Sequence, residues 1–347
     1  LQSDKKSYFL DFNHSPNLYV APTKLVADRL RSGDEKTIEE LASLDTFFAH
    51  EFGYESASFL DFSPYSIALF LDFVVPKDKK IAVSSKLSYF CLEAVNLLKA
   101  KGRDIVYISA QKDGSLFKSS MVEAKKAGAE YLFCAAVDED SFFVEDMNCV
   151  AEFFEAQKTI LDISNAVKKS DFPKVLAAIF WGYKLGSFKA SGIALHDDAK
   201  AARLESIDLC TYTHLKEAYE AYMIDDEALA KRDAFVFELK SALKDEIFLF
   251  VEPSKCLLNS VCIGFRGIKA RDFIRTLALE NIFVTNGELC SLAMSKPSRI
   301  LSTLGFSEEE CRNAISFSFD SLSMDEIKYL ASKIIFKYRQ IKAIMLD

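Results

Sequence analysis

TILDISNAVKKSDFPKVLAAIFWGYKLGSFKASGIAL, running from Thr159 to Leu195, decides how the chain is read. It begins as a short apolar strand ending in Asp162 and is broken at Pro173. It resumes as the apolar run Val175 to Trp181, which stops at Gly182-Tyr183-Lys184. Gly186 and Gly192 then lead into a third apolar run. A lysine just past the end of a buried strand sits at the mouth of a sheet, where open α/β sheets bind their ligands.

Outward from this stretch the strand and helix patterns alternate. Strands are expected at 81–85, 105–109, 131–136 and 159–162, with helices at 88–101, 118–127 and 143–156 between them. Apolar strands separated by helices imply a mostly parallel sheet covered on both faces. Ahead of it, residues 35–52 have the spacing of an amphipathic helix, and Ser63-Pro64 opens another, serine capping and proline taking the first helical position. After the lysine loop, 208–213 leads into a helix at 215–223, and a helix at 226–244 links to a second α/β unit. Strands are expected there at 247–251, 259–265 and 283–285, with helices at 269–280 and 323–344.

Composition narrows the function classes. The chain has 347 residues, half of them hydrophobic and 27% charged, the balance of a globular protein large enough for a full core. A net charge of -8 argues against nucleic acid or an anionic membrane as the main partner, since each needs a basic face. No apolar run reaches the length of a bilayer span, the N-terminus is polar, and a cytoplasmic location is expected. Eight cysteines and four histidines show neither C-x-x-C pairs nor metal spacing, so neither a disulfide framework nor a metal site is suggested. Twelve glycines beside thirty phenylalanines is a low share for a protein that builds phosphate-binding turns.

An amine at the mouth of a sheet beside a strand-ending carboxylate suits pyridoxal 5'-phosphate (PLP) chemistry. Lysine forms a Schiff base with the cofactor aldehyde, and a carboxylate keeps the pyridine nitrogen protonated. Lys184 and Asp162 are the candidates for these roles.

The stretch resembles the core of the class V aminotransferases and cysteine desulfurases. That family ends one strand with Asp-x-x-Gln and the next with His-Lys followed by Gly-Pro-Lys-Gly-x-Gly. This chain has Asp162, Asn165 for the glutamine, Tyr183-Lys184 for His-Lys, and Gly186 to Gly192 for the glycine run. The resemblance continues in order along nearly the whole chain and implies a PLP transferase of fold type I. A large domain (21–225) with a mostly parallel seven-stranded sheet would follow an N-terminal segment (1–20) and precede a smaller C-terminal α/β domain (226–347).

Site residues follow from the resemblance. Lys184 would be the Schiff-base residue and Asn165 a donor to the ring oxygen. Tyr183 would stand beside the lysine, and Tyr89 or Ser88 would take the place of a histidine that stacks on the ring. A small-residue turn holds the phosphate in relatives; here Ser58-Phe59-Leu60-Asp61-Phe62-Ser63 stands there, so Ser63 and Ser66 at the helix start would have to do that work. Thr211 would reach the phosphate of a second subunit, implying a homodimer. Cys290 falls where desulfurases carry the sulfur-accepting cysteine, which would imply a persulfide and a sulfur-acceptor protein. Ser316 replaces the arginine that clamps the substrate carboxylate. His14 is read as a turn residue, with a role near the site as the other reading.

Two classes of function remain open on the sequence. One is a PLP-dependent enzyme acting on a small amino acid, desulfurase-like in kind. The other is a non-catalytic or weakly PLP-binding homologue that serves as a dimeric partner-binding scaffold. The kept Asp162, Lys184 and Cys290 favour the first, and the altered phosphate turn and Ser316 favour the second.

Overall fold

The computed structural model describes residues 6–16, 35–197, 209–287 and 297–346. A short strand β1 (Tyr8–Phe9) precedes helix α1 (Glu35–Phe52), β2 (Ser56–Phe59) and α2 (Pro64–Val74). Alternation follows as β3 (Lys80–Ser84), α3 (Tyr89–Ala100), β4 (Ile105–Ile108), α4 (Lys118–Lys126) and β5 (Ala129–Ala135). After α5 (Met147–Ala151) come β6 (Thr159–Asp162), β7 (Ala177–Trp181) and β8 (Gly192–His196). These strands form a seven-stranded sheet in the order β2-β8-β7-β6-β5-β3-β4. Strands β3 to β7 run parallel, and only β8 opposes its neighbours.

The expected helix over 143–156 is shorter than its pattern. Phe143 and Val144 are held instead by bridges to Cys256 and Val137, and the helix starts at Met147 behind the Asp146 cap.

Helices α6 (Leu209–Ala221) and α7 (Ala228–Leu243) lead to β9 (Ile247–Leu249), β10 (Ser260–Phe265), α8 (Ala270–Ala278) and β11 (Ile282–Phe283). Short helices α9 (Arg299–Thr303) and α10 (Glu308–Arg312), strand β12 (Ala314–Ser318) and the long α11 (Met324–Leu346) complete the chain. Strands β12, β10 and β9 make an antiparallel sheet, and β1 pairs in parallel with β11.

Apolar side chains explain the layering. Val83, Phe133, Ile160, Ala177 and Ile179 pack against α2 and α3 on one face of the large sheet. On the other face Leu132, Leu161, Ala178 and Phe180 meet Phe48 of α1 and Tyr212 of α6. A third cluster joins the small sheet to α7, α8 and α11 through Phe235, Phe265, Phe273 and Tyr338, and Leu10 is part of it. Because parallel strands share a direction, the ends of β3, β5, β6 and β7 open at one edge, where residues 85–88, 138–140, Asp162 and 182–185 all lie. Among the described residues no helix is long and apolar enough to cross a membrane.

Candidate active site at the carboxyl edge of the sheet

Asp162 is the last residue of β6, in register with Ala135 of β5 and Ile179 of β7. Its Oδ1 accepts from the Ser164 backbone N–H at 3.0 Å and from Ser164 Oγ at 2.5 Å. Its Oδ2 meets the weaker donors Cys91 Sγ at 3.3 Å and Ser88 Oγ at 3.4 Å. Ser164 Oγ also accepts from the Trp181 N–H at 2.9 Å, so β6 and β7 are laced together just below the lysine.

Lys184 lies in a single tight turn, residues 182–185, that leaves β7 and ends at Gly186 with φ 81°. That left-handed conformation suits glycine, which lets the chain double back into β8. The lysine is 4% exposed, and its Nζ donates to the Asn13 backbone carbonyl at 3.0 Å. Burial drives its pKa down, against the pull of Glu139, Asp162 and Asp140. The amine is therefore more readily uncharged than a surface lysine, as a nucleophilic amine must be.

Several residues that sequence reasoning did not single out complete this interior. Asp138, Glu139 and Asp140 follow β5 and are buried; Asp138 ties the turn by accepting from the N–H groups of Asp140 and Ser141. Burial pushes Glu139 up and Asp140 up to about 7, and Ser298 Oγ donates to Asp140 at 2.5 Å. Lys169, also buried, donates to Asn13 Oδ1 at 2.9 Å, and burial with the nearby Lys184 charge brings its pKa down to about 7. The available signal was three consecutive acids straight after an apolar strand, at the same sheet edge as Asp162.

His14 belongs to this interior as well. Its ring meets Phe142 edge-on at 5.7 Å, and its Nε2 lies 3.9 Å from Asp140 Oδ1. Burial first, and then Lys184, push the imidazole down to about 4.

The remaining expected residues fall as follows. The Asn165 side chain is buried with Oδ1 unpartnered among the described residues. Tyr183 packs on Trp181 at 5.0 Å. Ser88 caps α3, while Tyr89 is 47% exposed and contacts the ring of Phe90 at 6.1 Å. Thr211 lies within helix α6 rather than on a turn ahead of it, because the helical run already includes Leu209. Ser316 is buried in β12, its hydroxyl 3.3 Å from the Asp140 carbonyl. Cys290 lies outside the described residues.

The turn before α2 has a different character from an anion cradle. Asp61 Oδ1 accepts from the Ser63 N–H at 3.2 Å and from Ser63 Oγ at 3.0 Å, while Ser63 Oγ caps Ser66 N. Pro64 has no N–H to offer. Phe62, at φ 42°, stacks on the Trp181 indole at 5.6 Å and 7° between planes. Phe90 closes on the indole edge-on at 5.2 Å. The Lys184 Nζ lies 5.7 Å from the centroid of that same indole.

With this geometry in hand, similarity to known proteins is informative. No protein-family profile matches the sequence. The chain is 22% identical over 279 residues to the cysteine desulfurase IscS of Psychromonas ingrahamii, covering 73% of this chain and 68% of that one. It is 23% identical over 283 residues to IscS of Acinetobacter baumannii, covering 73% and 68%. The chain is thus similar, at low identity, to cysteine desulfurases of class V. Its fold is that of a NifS-like protein, superposing with TM-score 0.77 at 14% identity over 95% of this chain and 98% of the other. An apo cysteine desulfurase from Thermococcus onnurineus superposes with TM-score 0.70 at 13% identity, over 96% and 95%. The fold-type-I architecture expected from the sequence, a mostly parallel seven-stranded sheet with a further α/β unit, is therefore the one observed.

Proposed function

We propose that this class V protein is cysteine desulfurase-like and acts on a small amino acid, with Lys184 as its reactive amine and Asp162 as the carboxylate partner. The observation that carries the reading is the buried Lys184 amine, with a lowered pKa, at the same sheet edge as the buried carboxylate of Asp162. Asn13 aims the amine through its backbone carbonyl, and Ser164 fixes the carboxylate with two hydrogen bonds. In this reading Cys290 takes up sulfur, a partner protein accepts it, and the protein works as a cytoplasmic homodimer with large (21–225) and small (226–347) domains.

Pyridoxal 5'-phosphate is the group such a reading implies, and bound PLP supplies an electron sink for bonds at the amino-acid α-carbon. The residues fit one end of it and not the other. Lys184, Asp162 and the buried Asn165, whose side-chain amide can donate through Nδ2, are polar groups of the kind its aldehyde, pyridine nitrogen and ring oxygen require. At the phosphate end, Asp61 already uses the Ser63 N–H and hydroxyl, and its own charge repels an anion. Ser63, Ser66 and Thr211 would be left to hold the phosphate without an arginine or a glycine turn. As a whole the site does not fit the phosphorylated cofactor.

That mismatch favours a second reading, a scaffold homologue that keeps the fold and binds a partner. Sulfide release from L-cysteine with reductant, measured with added PLP and separately with added pyridoxal, separates the two. Wild type should exceed both Lys184→Ala and Cys290→Ala if the desulfurase reading holds. Equal rates in all three would leave the scaffold.

A further inference from the structure

Between Lys184 and the start of α2 stands an aromatic stack. The indole of Trp181 has the lysine amine 5.7 Å from its centroid and the ring of Phe62 stacked on it at 5.6 Å, nearly parallel. Phe90 meets the indole edge-on at 5.2 Å, Tyr183 lies against it at 5.0 Å with its ring tilted by 37°, and Trp181 Nε1 is anchored to the Lys189 carbonyl at 2.7 Å. Phe62 cannot retreat toward β8. It already crowds Gly192, where a Cβ would stand 2.9 Å from the Phe62 ring and 2.7 Å from the Phe180 carbonyl. Beyond the stack, the helix start offers a phosphate almost nothing. Pro64 lacks an N–H, Ser66 N is capped by Ser63, and Ser63 N is taken by the Asp61 carboxylate.

A ligand joined to Lys184 therefore has the Trp181–Phe62 stack beside it, and the α2 start next to that stack has few donors to give a charged group. Apolar rings stack favourably on such a face, while a dianion loses water there without gaining donors. We propose that Trp181 and Phe62 convert the phosphate end of the Lys184 site into an aromatic wall, so that it selects flat aromatic aldehydes without phosphate and excludes their phosphorylated forms. This rests on the reading of Lys184 as a reactive amine and adds the class of carbonyl ligand it takes.

The test compares pyridoxal with pyridoxal 5'-phosphate, which differ only in the phosphate. Each is incubated with the full chain and cyanoborohydride. The Lys184 amine attacks the aldehyde carbon and water leaves; hydride then adds to that carbon and a proton to nitrogen, fixing the ligand as a secondary amine. Peptide mass spectrometry reads the occupancy of Lys184 relative to the exposed lysines of the same sample. In wild type the preference for pyridoxal should be about ten-fold or more, equivalent to the loss of one charge-assisted hydrogen bond. Trp181→Ala should shrink that preference by opening the wall. Asp61→Asn, at an exposed position, should shrink it by removing the competing charge, and it serves if Trp181→Ala does not fold. Equal labelling by the two aldehydes in wild type overturns the aromatic-wall assignment while leaving the amine reading in place. No labelling of Lys184 by either aldehyde in any of the three proteins overturns both.

Discussion

The Lys184 amine is hydrogen-bonded to the backbone carbonyl of Asn13 at 3.0 Å, across 171 residues of chain. The same asparagine accepts from Lys169 through Oδ1, donates through Nδ2 to Ser260 Oγ, and donates its N–H to Ser318 Oγ at 2.8 Å. Ser260 and Ser318 begin β10 and end β12, so one residue of the N-terminal arm joins the lysines of the large sheet to the small sheet.

Truncating that side chain should be costly. Asn13→Ala keeps the carbonyl that holds Lys184 but strands the buried Lys169 amine and leaves Ser260 without the Nδ2 donor. A loss of about 2–3 kcal/mol is expected in urea unfolding. A change below about 0.5 kcal/mol, the range of an ordinary surface substitution, would mean that the arm does not hold the site together.

Lys169 gives the protein a pH dependence of known sign. Its folded pKa of about 7 is depressed from 10.5, chiefly by burial and also by Lys184, with Asp320 opposing. A depressed lysine pKa adds stability that is full above the unfolded value and disappears as pH falls through the folded one. Stability measured from pH 10 down to pH 6 should therefore fall more steeply in wild type than in Lys169→Met. Parallel curves would show that Lys169 keeps its ordinary pKa in the fold.

The sheet and the lysine loop were legible in the sequence because both rest on local pattern. Short apolar runs such as Ala177 to Phe180, bounded by proline and glycine, read as buried strands, and a glycine at Gly186 marks the turn that presents Lys184. The carboxylates around the lysine were harder to see, because nothing local to Asp138 to Asp140 brings them to the lysine until β5 is placed beside β6. Trp181 was the most informative residue overlooked. It is the only tryptophan in the chain and stands three residues before the lysine, but its apolar run made it look like one more core side chain. His14 illustrates the same limit, since nothing in its turn-prone surroundings shows that Phe142 and Asp140 will enclose it.

Lys86 and Glu145 form a buried ion pair at 2.6 Å, with the Gly114 carbonyl and the Leu116 N–H as further partners. Removing one partner leaves an uncompensated charge in the core. Lys86→Met should cost about 3–5 kcal/mol, and Lys86→Met combined with Glu145→Leu should cost less than the single change. If the double variant loses the sum of the two single losses, the pair is not coupled.

The site lysine itself should be held at the expense of stability, and the balance should turn with pH. In wild type the depressed Lys184 pKa means that stability is lost as pH falls through the folded value, because the buried amine must then take up a proton. Lys184→Met removes that cost and keeps most of the packing. It also takes away the cation that faces Glu139, Asp140 and Asp162. Burial raises Glu139 and Asp140, the latter to about 7, so below that pH Asp140 is mostly protonated and loses little when the cation goes. Above it, a raised carboxyl pKa works the other way, and stability is lost as pH rises and a carboxylate is left charged in the interior. At pH 6, Lys184→Met should therefore match or exceed wild type, by up to about 4 kcal/mol if it behaves like other replacements of buried charge. At pH 9 that advantage should shrink or reverse, because the raised carboxyl groups are then charged without the amine that faces them. Thermal or urea unfolding of both proteins at these two pH values decides it: a fixed difference of one sign would show that the amine and the carboxylates around it do not titrate against each other in the folded chain.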